Sequence, residues 1–158
     1  MVQLRSPSLD IMMKGIIYDF MRTLYNPEKG QLFDGVLPML TAFKEKGIKQ
    51  GLISFGGAEK RQLIEGLDLG KILDWYRVTE EKKPEVFKSF LEEFDLKPEE
   101  VLVVGDLVNE EIAVGSGIGA KTVWVKWGAF ANVETFITPD YTIDNIIKLE
   151  GVVSGLVV

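Results

Sequence analysis

Two aspartates stand directly behind apolar runs. Asp19 follows "GIIY" and Asp106 follows "EVLVVG". A carboxylate in that position can be a metal ligand, a nucleophile or an acceptor that caps a helix. If the two runs are neighbouring strands, the carboxylates converge, and converging carboxylates are costly unless a cation joins them. Oxygen donors of this kind suit Mg²⁺. Thr23 follows Asp19 by four positions. Ser54 ends a third apolar stretch just before Gly56 and Gly57. A hydroxyl beside free backbone N–H groups can hold a phosphoryl oxygen, or it can simply belong to a turn. Lys82 and Lys83 precede Pro84 at the start of a predicted helix. The helix dipole opposes a cation there and a bound anion would offset the cost; a solvated loop lysine is the plainer alternative.

Composition narrows the chemistry. The 158-residue chain has no Cys and no His. Thiolate and imidazole ligands, Cys nucleophiles and Ser-His-Asp triads are thereby excluded. Any catalysis must use carboxylates, Lys, Tyr, hydroxyls or a bound metal. The net charge of −6 disfavours a general nucleic-acid or anionic-membrane surface. No apolar run approaches the roughly 20 residues of a membrane span, and the first residues lack the apolar stretch of a signal peptide. The expected location is cytoplasmic. Residues 1–12 fit nothing that follows and are read as a tail or a start-site extension, with Met13 as an alternative start. Residues 13–158 are expected to form one domain.

The elements that must position these groups alternate. Short apolar strands are expected at 15–20, 48–55, 75–79, 100–106, 121–127 and 140–143. Helical patterns occupy 34–47, 58–69, 84–94 and 144–150, while 108–119 begins as a helix and then breaks. The segment 21–33 carries the turn signals of a small flap. In the 84–94 stretch, Pro84 suits the first helical position and Phe87, Phe90, Leu91 and Phe94 share one face. Apolar strands separated by helices predict a doubly wound, Rossmann-like parallel α/β sheet. Ligands of such sheets bind beyond the carboxyl ends of the strands. The apolar tail 151–158 is expected to pack on the domain or on a partner, which makes a homo-oligomer contact one of its two roles.

In chain order, the pattern is an apolar run ending in Asp19-x-x-x-Thr23, an apolar run ending in Ser54, then Lys83-Pro84, and an apolar run ending in Gly105-Asp106 with Glu110 and Glu111 behind it. This resembles the haloacid dehalogenase (HAD) superfamily, most of whose members are Mg²⁺-dependent phosphatases. The similarity runs from about residue 14 to about 148 and includes "GIGAKTVWVKWG" and "PDYTIDNI". The resemblance implies that Asp19 attacks a phosphoryl group and forms an aspartyl-phosphate. It implies that Thr23 and Ser54 bind phosphoryl oxygens and that Lys83, with Lys82 as the less favoured candidate, neutralises nucleophile and phosphate. Asp19, Asp106 and the backbone carbonyl of Met21 would hold Mg²⁺, supported by Glu110 or Glu111.

The chain also departs from that pattern. The phosphatases of the superfamily carry Asp two residues after the nucleophile, where it serves as the general acid and base; here the residue is Met21. The next position, usually Gly, is Arg22. The intervals from Asp19 to Ser54 and from Ser54 to Lys83 are too short for a cap domain, so a capless member is expected and small-molecule dehalogenation is not. Without a cap, specificity falls to the flap and to the loops after the strands, including 127–136. Two functions follow as expectations. One is a phosphohydrolase with an impaired or unusual acid/base step. The other is a weakly catalytic module that binds Mg²⁺ and a phosphorylated small molecule or macromolecule.

Overall fold

A computed structural model of the chain describes residues 12–127 and 137–156. The tail 1–11, most of the loop 127–136 and the last two residues lie outside the described residues. Six strands form one parallel sheet: β1 (Gly15–Tyr18), β4 (Lys49–Phe55), β5 (Trp75–Thr79), β6 (Val101–Gly105), β7 (Lys121–Val125) and β8 (Tyr141–Ile143). Their spatial order is β5-β4-β1-β6-β7-β8, and every described pairing is parallel. The chain therefore runs outward from β1 in one direction, returns, and continues from β6 in the other. That is a doubly wound sheet whose order reverses between β1 and β6, which is where such sheets open a crevice.

The strands are legible because they are buried on both faces. All four residues of β1 and all five of β6 are buried. On one face Ile16, Tyr18, Leu102 and Val104 pack with Val36, Leu40 and Phe43 of helix α1 (Val36–Glu45) and with Leu149 and Val153 of helix α5 (Leu149–Ser154). On the other, Ile17, Ile53 and Val103 pack with Phe87, Phe90 and Leu91 of helix α3 (Pro84–Phe94). Helix α3 matches its predicted bounds, with Pro84 at the first position. Tyr18 is a polar group inside this core. Its hydroxyl donates to Gln50 Oε1 at 2.7 Å, and Gln50 Nε2 donates to the Leu40 carbonyl at 2.8 Å.

Several boundaries differ from expectation. Helix α2 (Ala58–Glu65) stops at Gly66, and a 3-10 turn at Asp68–Lys71 follows instead of more α-helix. The segment 108–119 does not break early: a π-type turn at Val108–Ile112 leads straight into α4 (Ala113–Ile118), which ends at Gly119 with φ +91°. At the far end a 3-10 turn (Ile146–Lys148) runs into α5, so the described part of the apolar tail lies on its own domain through fully buried Val153.

Two connections matter for access. Between β1 and α1 the flap is a hairpin of β2 (Tyr25–Asn26) and β3 (Gln31–Leu32). Between β4 and β5 lie only α2 and the 3-10 turn. Among the described residues no helix is long and apolar enough to cross a membrane.

Candidate active site

Parallel register brings the candidates to one edge. Tyr18 pairs with Val104, and the Asp19 N–H donates to the Val104 carbonyl at 2.9 Å, so Asp19 and Asp106 leave neighbouring strands side by side. Glu111 joins them from the π-type turn. The nearest carboxylate oxygens of Asp19, Asp106 and Glu111 lie within 4.8 Å of one another, and all three residues are buried. Glu110, the other acidic candidate, points to solvent. The reason is local: the turn after β6 carries Glu111 back over Gly105, so that a Cβ on Gly105 would lie 2.0 Å from Glu111 Cγ.

Two cations balance this cluster. The Lys82 ammonium contacts Asp19 Oδ1, reaches Glu111 Oε2 at 3.3 Å and rests 4.8 Å from the centre of the Phe55 ring. Arg22 Nε donates to Asp106 Oδ2 at 2.8 Å. Here the expectation for the lysine is corrected. Lys83 caps α3 with a side chain 65% exposed and pairs with Glu81 at 3.0 Å, whereas the Lys82 side chain is 1% exposed. The chain before Pro84 is extended at Lys83, with φ −82° and ψ 154°, as a residue preceding proline must be. Successive side chains of an extended segment point in opposite directions, so only one of the two lysines can face Asp19.

The phosphate-binding candidates are in place but differ in kind. Thr23 is fully buried, and its Oγ1 has no hydrogen-bond partner among the described residues. Ser54 is buried, and its Oγ donates to the Phe55 carbonyl at 3.2 Å. In the turn after Asp19 the N–H groups of Thr23, Leu24 and Tyr25 all point to the Phe20 carbonyl; none of them takes the Met21 carbonyl proposed as a metal ligand. The Met21 side chain packs against the core. Arg22 adopts φ +62°, a left-handed conformation that favours glycine, the residue type the family resemblance puts there.

Electrostatics follow from burial. Asp106 is pushed up to about 7, first by desolvation and then by Asp19, with Arg22 opposing. Glu111 is pushed up to about 8 by desolvation and Asp19, with Lys82 opposing. For Lys82, burial pulls the pKa down but the carboxylates of Asp19 and Glu111 outweigh it, and the net direction is upward. One oxygen of this cluster, Asp106 Oδ1, is buried without a hydrogen-bond partner among the described residues. Buried polar atoms are normally satisfied. Three converging carboxylates with an unsatisfied oxygen fit a small hard cation such as Mg²⁺, held by Asp19 and Asp106 with Glu111 behind.

Gly105→Ala tests this arrangement. The added methyl must displace Glu111, and affinity for Mn²⁺, followed by electron paramagnetic resonance, is expected to fall by about 10–100-fold, the usual cost of losing a supporting group at a metal site. An unchanged affinity would show that Glu111 plays no part in holding metal.

Beside the cluster, Thr23, Phe33, Val125, Trp127 and Asn145 border a pocket of about 210 Å³ at the same edge of the sheet. Phe33 and Trp127 meet edge to face there, with centroids 6.3 Å apart. The expected specificity loop begins at this point, and its residues 128–136 lie outside the described residues.

Comparison with known proteins gives the family and the fold. Residues 3–119 match the hydrolase family described as haloacid dehalogenase-like hydrolase. Similar sequences include the glyceraldehyde 3-phosphate phosphatase of Pyrococcus furiosus, 30% identical over 63% of this chain and 44% of that protein. Pyrophosphatase PpaX of Bacillus mycoides is 32% identical over 84% of this chain and 64% of that protein. The chain thus spans less than two-thirds of the length of either relative. Among solved structures, a haloacid dehalogenase-like family hydrolase from Xanthomonas campestris superimposes with TM-score 0.76 at 13% identity, over 92% of this chain and 96% of that one. A HAD phosphatase from Thermococcus onnurineus gives 0.71 at 20% identity, over 81% and 60%.

Proposed function

The chain belongs to the haloacid dehalogenase-like hydrolases, and from that premise we propose that it is a Mg²⁺-dependent phosphohydrolase that works through an aspartyl-phosphate on Asp19. The observation that carries the proposal is the buried Asp19–Asp106–Glu111 cluster with Lys82 seated on the nucleophile. Relatives named as a glyceraldehyde 3-phosphate phosphatase and a pyrophosphatase support the phosphoryl chemistry.

In this reading Lys82 aligns Asp19 and neutralises part of the incoming phosphoryl charge. The Thr23 hydroxyl, buried without a partner among the described residues, and Ser54 take phosphoryl oxygens. Asp19, Asp106 and the Met21 carbonyl would hold the metal, with Glu111 behind them, and the metal would supply charge neutralisation on the transferring group. The Met21 thioether neither gives nor accepts a proton, so the acid/base step is unusual. Loss of such a group costs on the order of 10²–10⁴ in rate for leaving groups that need a proton. With only a hairpin and a short helix in the two connections flanking the site, the protein is read as capless, and phosphorylated small molecules and macromolecules are both admissible substrates.

The test is Mg²⁺-dependent phosphate release from an activated aryl phosphate and from acetyl phosphate. Asp19→Asn is expected to lower release by on the order of 10³-fold or more. The packing of Met21 into the core favours a second reading, a module that binds Mg²⁺ and a phosphorylated ligand without turning it over. Release that does not depend on Asp19, or no release at all, would overturn the hydrolase reading in favour of that module.

A further inference from the structure

Asp106 has three oxygens, and two of them are engaged. Oδ2 accepts from Arg22 Nε at 2.8 Å, and the backbone carbonyl accepts from the Trp124 indole N–H at 3.0 Å. Oδ1 has no hydrogen-bond partner among the described residues. The Trp124 bond is buried and comes from the neighbouring strand β7, where Trp124 stands opposite Gly105 in parallel register. The same side chain packs against Val108 and Ile112, both buried in the π-type turn that carries Glu111. Turns of this type are rare, and one of five residues relies on its neighbours to fix it. The Lys126 ammonium, two residues further along, lies 5.1 Å from the centre of the indole ring. One side chain therefore touches the backbone of one acidic residue and the turn that presents another.

A tryptophan in a strand is ordinarily a packing residue, and Trp75 of β5 is one. It is buried to the same degree as Trp124 and meets Phe90 edge to face with centroids 5.6 Å apart. Its indole N–H has no hydrogen-bond partner among the described residues, so burial alone does not oblige an indole of this protein to find an acceptor. Trp124 differs in what accepts its proton. That carbonyl belongs to the residue whose carboxylate lies within 4.8 Å of those of Asp19 and Glu111. A buried carbonyl deprived of its donor is costly, and the peptide after Asp106 would turn to find another. Carbonyl and carboxylate share one Cα, so that turn moves the carboxylate as well.

Resting on the metal half of the hydrolase reading above, we infer that Trp124 is a positioning residue for the divalent-ion site. Its indole ties the Asp106 backbone to the Glu111 turn, so that both carboxylates meet Asp19 as one preformed unit before an ion binds. Arg22 holds Oδ2 from its own side, and Oδ1 is left for the ion. Affinity for a divalent cation therefore depends on an indole N–H that does not touch the cation.

The test compares Trp124→Phe with Trp75→Phe in the full chain. Each variant keeps an aromatic ring and loses one buried indole N–H. Mn²⁺ affinity, read by electron paramagnetic resonance, is expected to fall about tenfold or more in Trp124→Phe, the usual cost of losing an outer partner of a metal ligand, and to be unchanged in Trp75→Phe. A second measurement needs no substitution at position 124. In ¹⁵N-indole spectra, assigned with Trp75→Phe and Trp127→Phe, Mg²⁺ is expected to shift the Trp124 signal along the binding curve and to leave the Trp75 signal in place. Wild-type affinity in Trp124→Phe, an equal loss in both variants, or a Trp124 signal that Mg²⁺ does not move would overturn the inference and leave Asp19-dependent phosphate release standing. A wild-type chain that binds no Mn²⁺ would overturn the metal half of the hydrolase reading and this inference with it.

Discussion

Lys82→Ala is expected to lower the stability of the metal-free chain by about 3 kcal/mol, whereas Lys83→Ala leaves it nearly unchanged. The two residues are adjacent, and their environments are opposite. The Lys82 side chain is enclosed by Asp19, Glu111 and the Phe55 ring. Removing it leaves two buried carboxylates beside a third with no cation between them, which is the situation in which breaking a buried pair is most damaging. Part of the loss is recovered as a carboxyl takes up a proton, and Glu111, already pushed up to about 8, is the group that does so most readily. The Lys83 ammonium, by contrast, meets Glu81 in solvent, where an ion pair contributes little. Urea denaturation of both variants, with no metal present, measures the difference directly. Phosphate release at saturating Mg²⁺ adds a second readout: Lys82→Ala is expected to lose on the order of 10²-fold or more, in line with the removal of a preorganised charge from a reacting centre. A stable, active Lys82→Ala alongside a crippled Lys83→Ala would return the role to Lys83.

The same pair shows where sequence stops informing structure. Pro84 announces the helix start, and α3 follows it from Pro84 to Phe94. Yet the phase of the extended residues before a proline is set by what packs against them, and in the sequence alone Lys82 and Lys83 are equivalent. Strands β1 and β6 are legible because each is apolar throughout, as a strand buried on both faces must be; their ends then place Asp19 and Asp106 without further information. Glu110 and Glu111 are separated only by the turn that returns Glu111 over Gly105. The bond from Arg22 to Asp106 joins residues 84 apart in sequence, and nothing local to Arg22 forecasts it beyond its occupying a position suited to glycine. The tail beyond residue 150 is ambiguous because an apolar segment has no address of its own; the helix that seats Val153 in the core supplies one.

The acid cluster also fixes how stability and metal binding should depend on pH, and in opposite senses. Asp106 moves from 3.8 to about 7 and Glu111 from 4.5 to about 8, in both cases first because burial penalises the charged form. In the unfolded chain both carboxyls lose their protons near pH 4, so between roughly pH 4.5 and 8 the folded metal-free state holds more protons than the unfolded one. Stability must then fall as pH rises through that window and level off above about 8. The two groups share one electrostatic environment, so the loss is expected as one broad transition across that window rather than as two separate steps. Metal binding runs the other way, because a carboxylate must be deprotonated to act as a ligand; affinity for Mg²⁺ is expected to rise about tenfold or more between pH 6 and 8. Thermal melts in EDTA should therefore show a melting temperature that decreases from about pH 5.5 to 8.5, while the increment produced by Mg²⁺ grows over the same range, as mass action requires when only the folded state binds the ion. Glu111→Gln removes the group with the larger raised value and is expected to flatten the EDTA curve above about pH 7. A melting temperature that is constant or rises with pH in EDTA, or a Mg²⁺ increment independent of pH, would mean that the three buried carboxylates, whose oxygens lie within 4.8 Å of one another, do not act together in binding an ion.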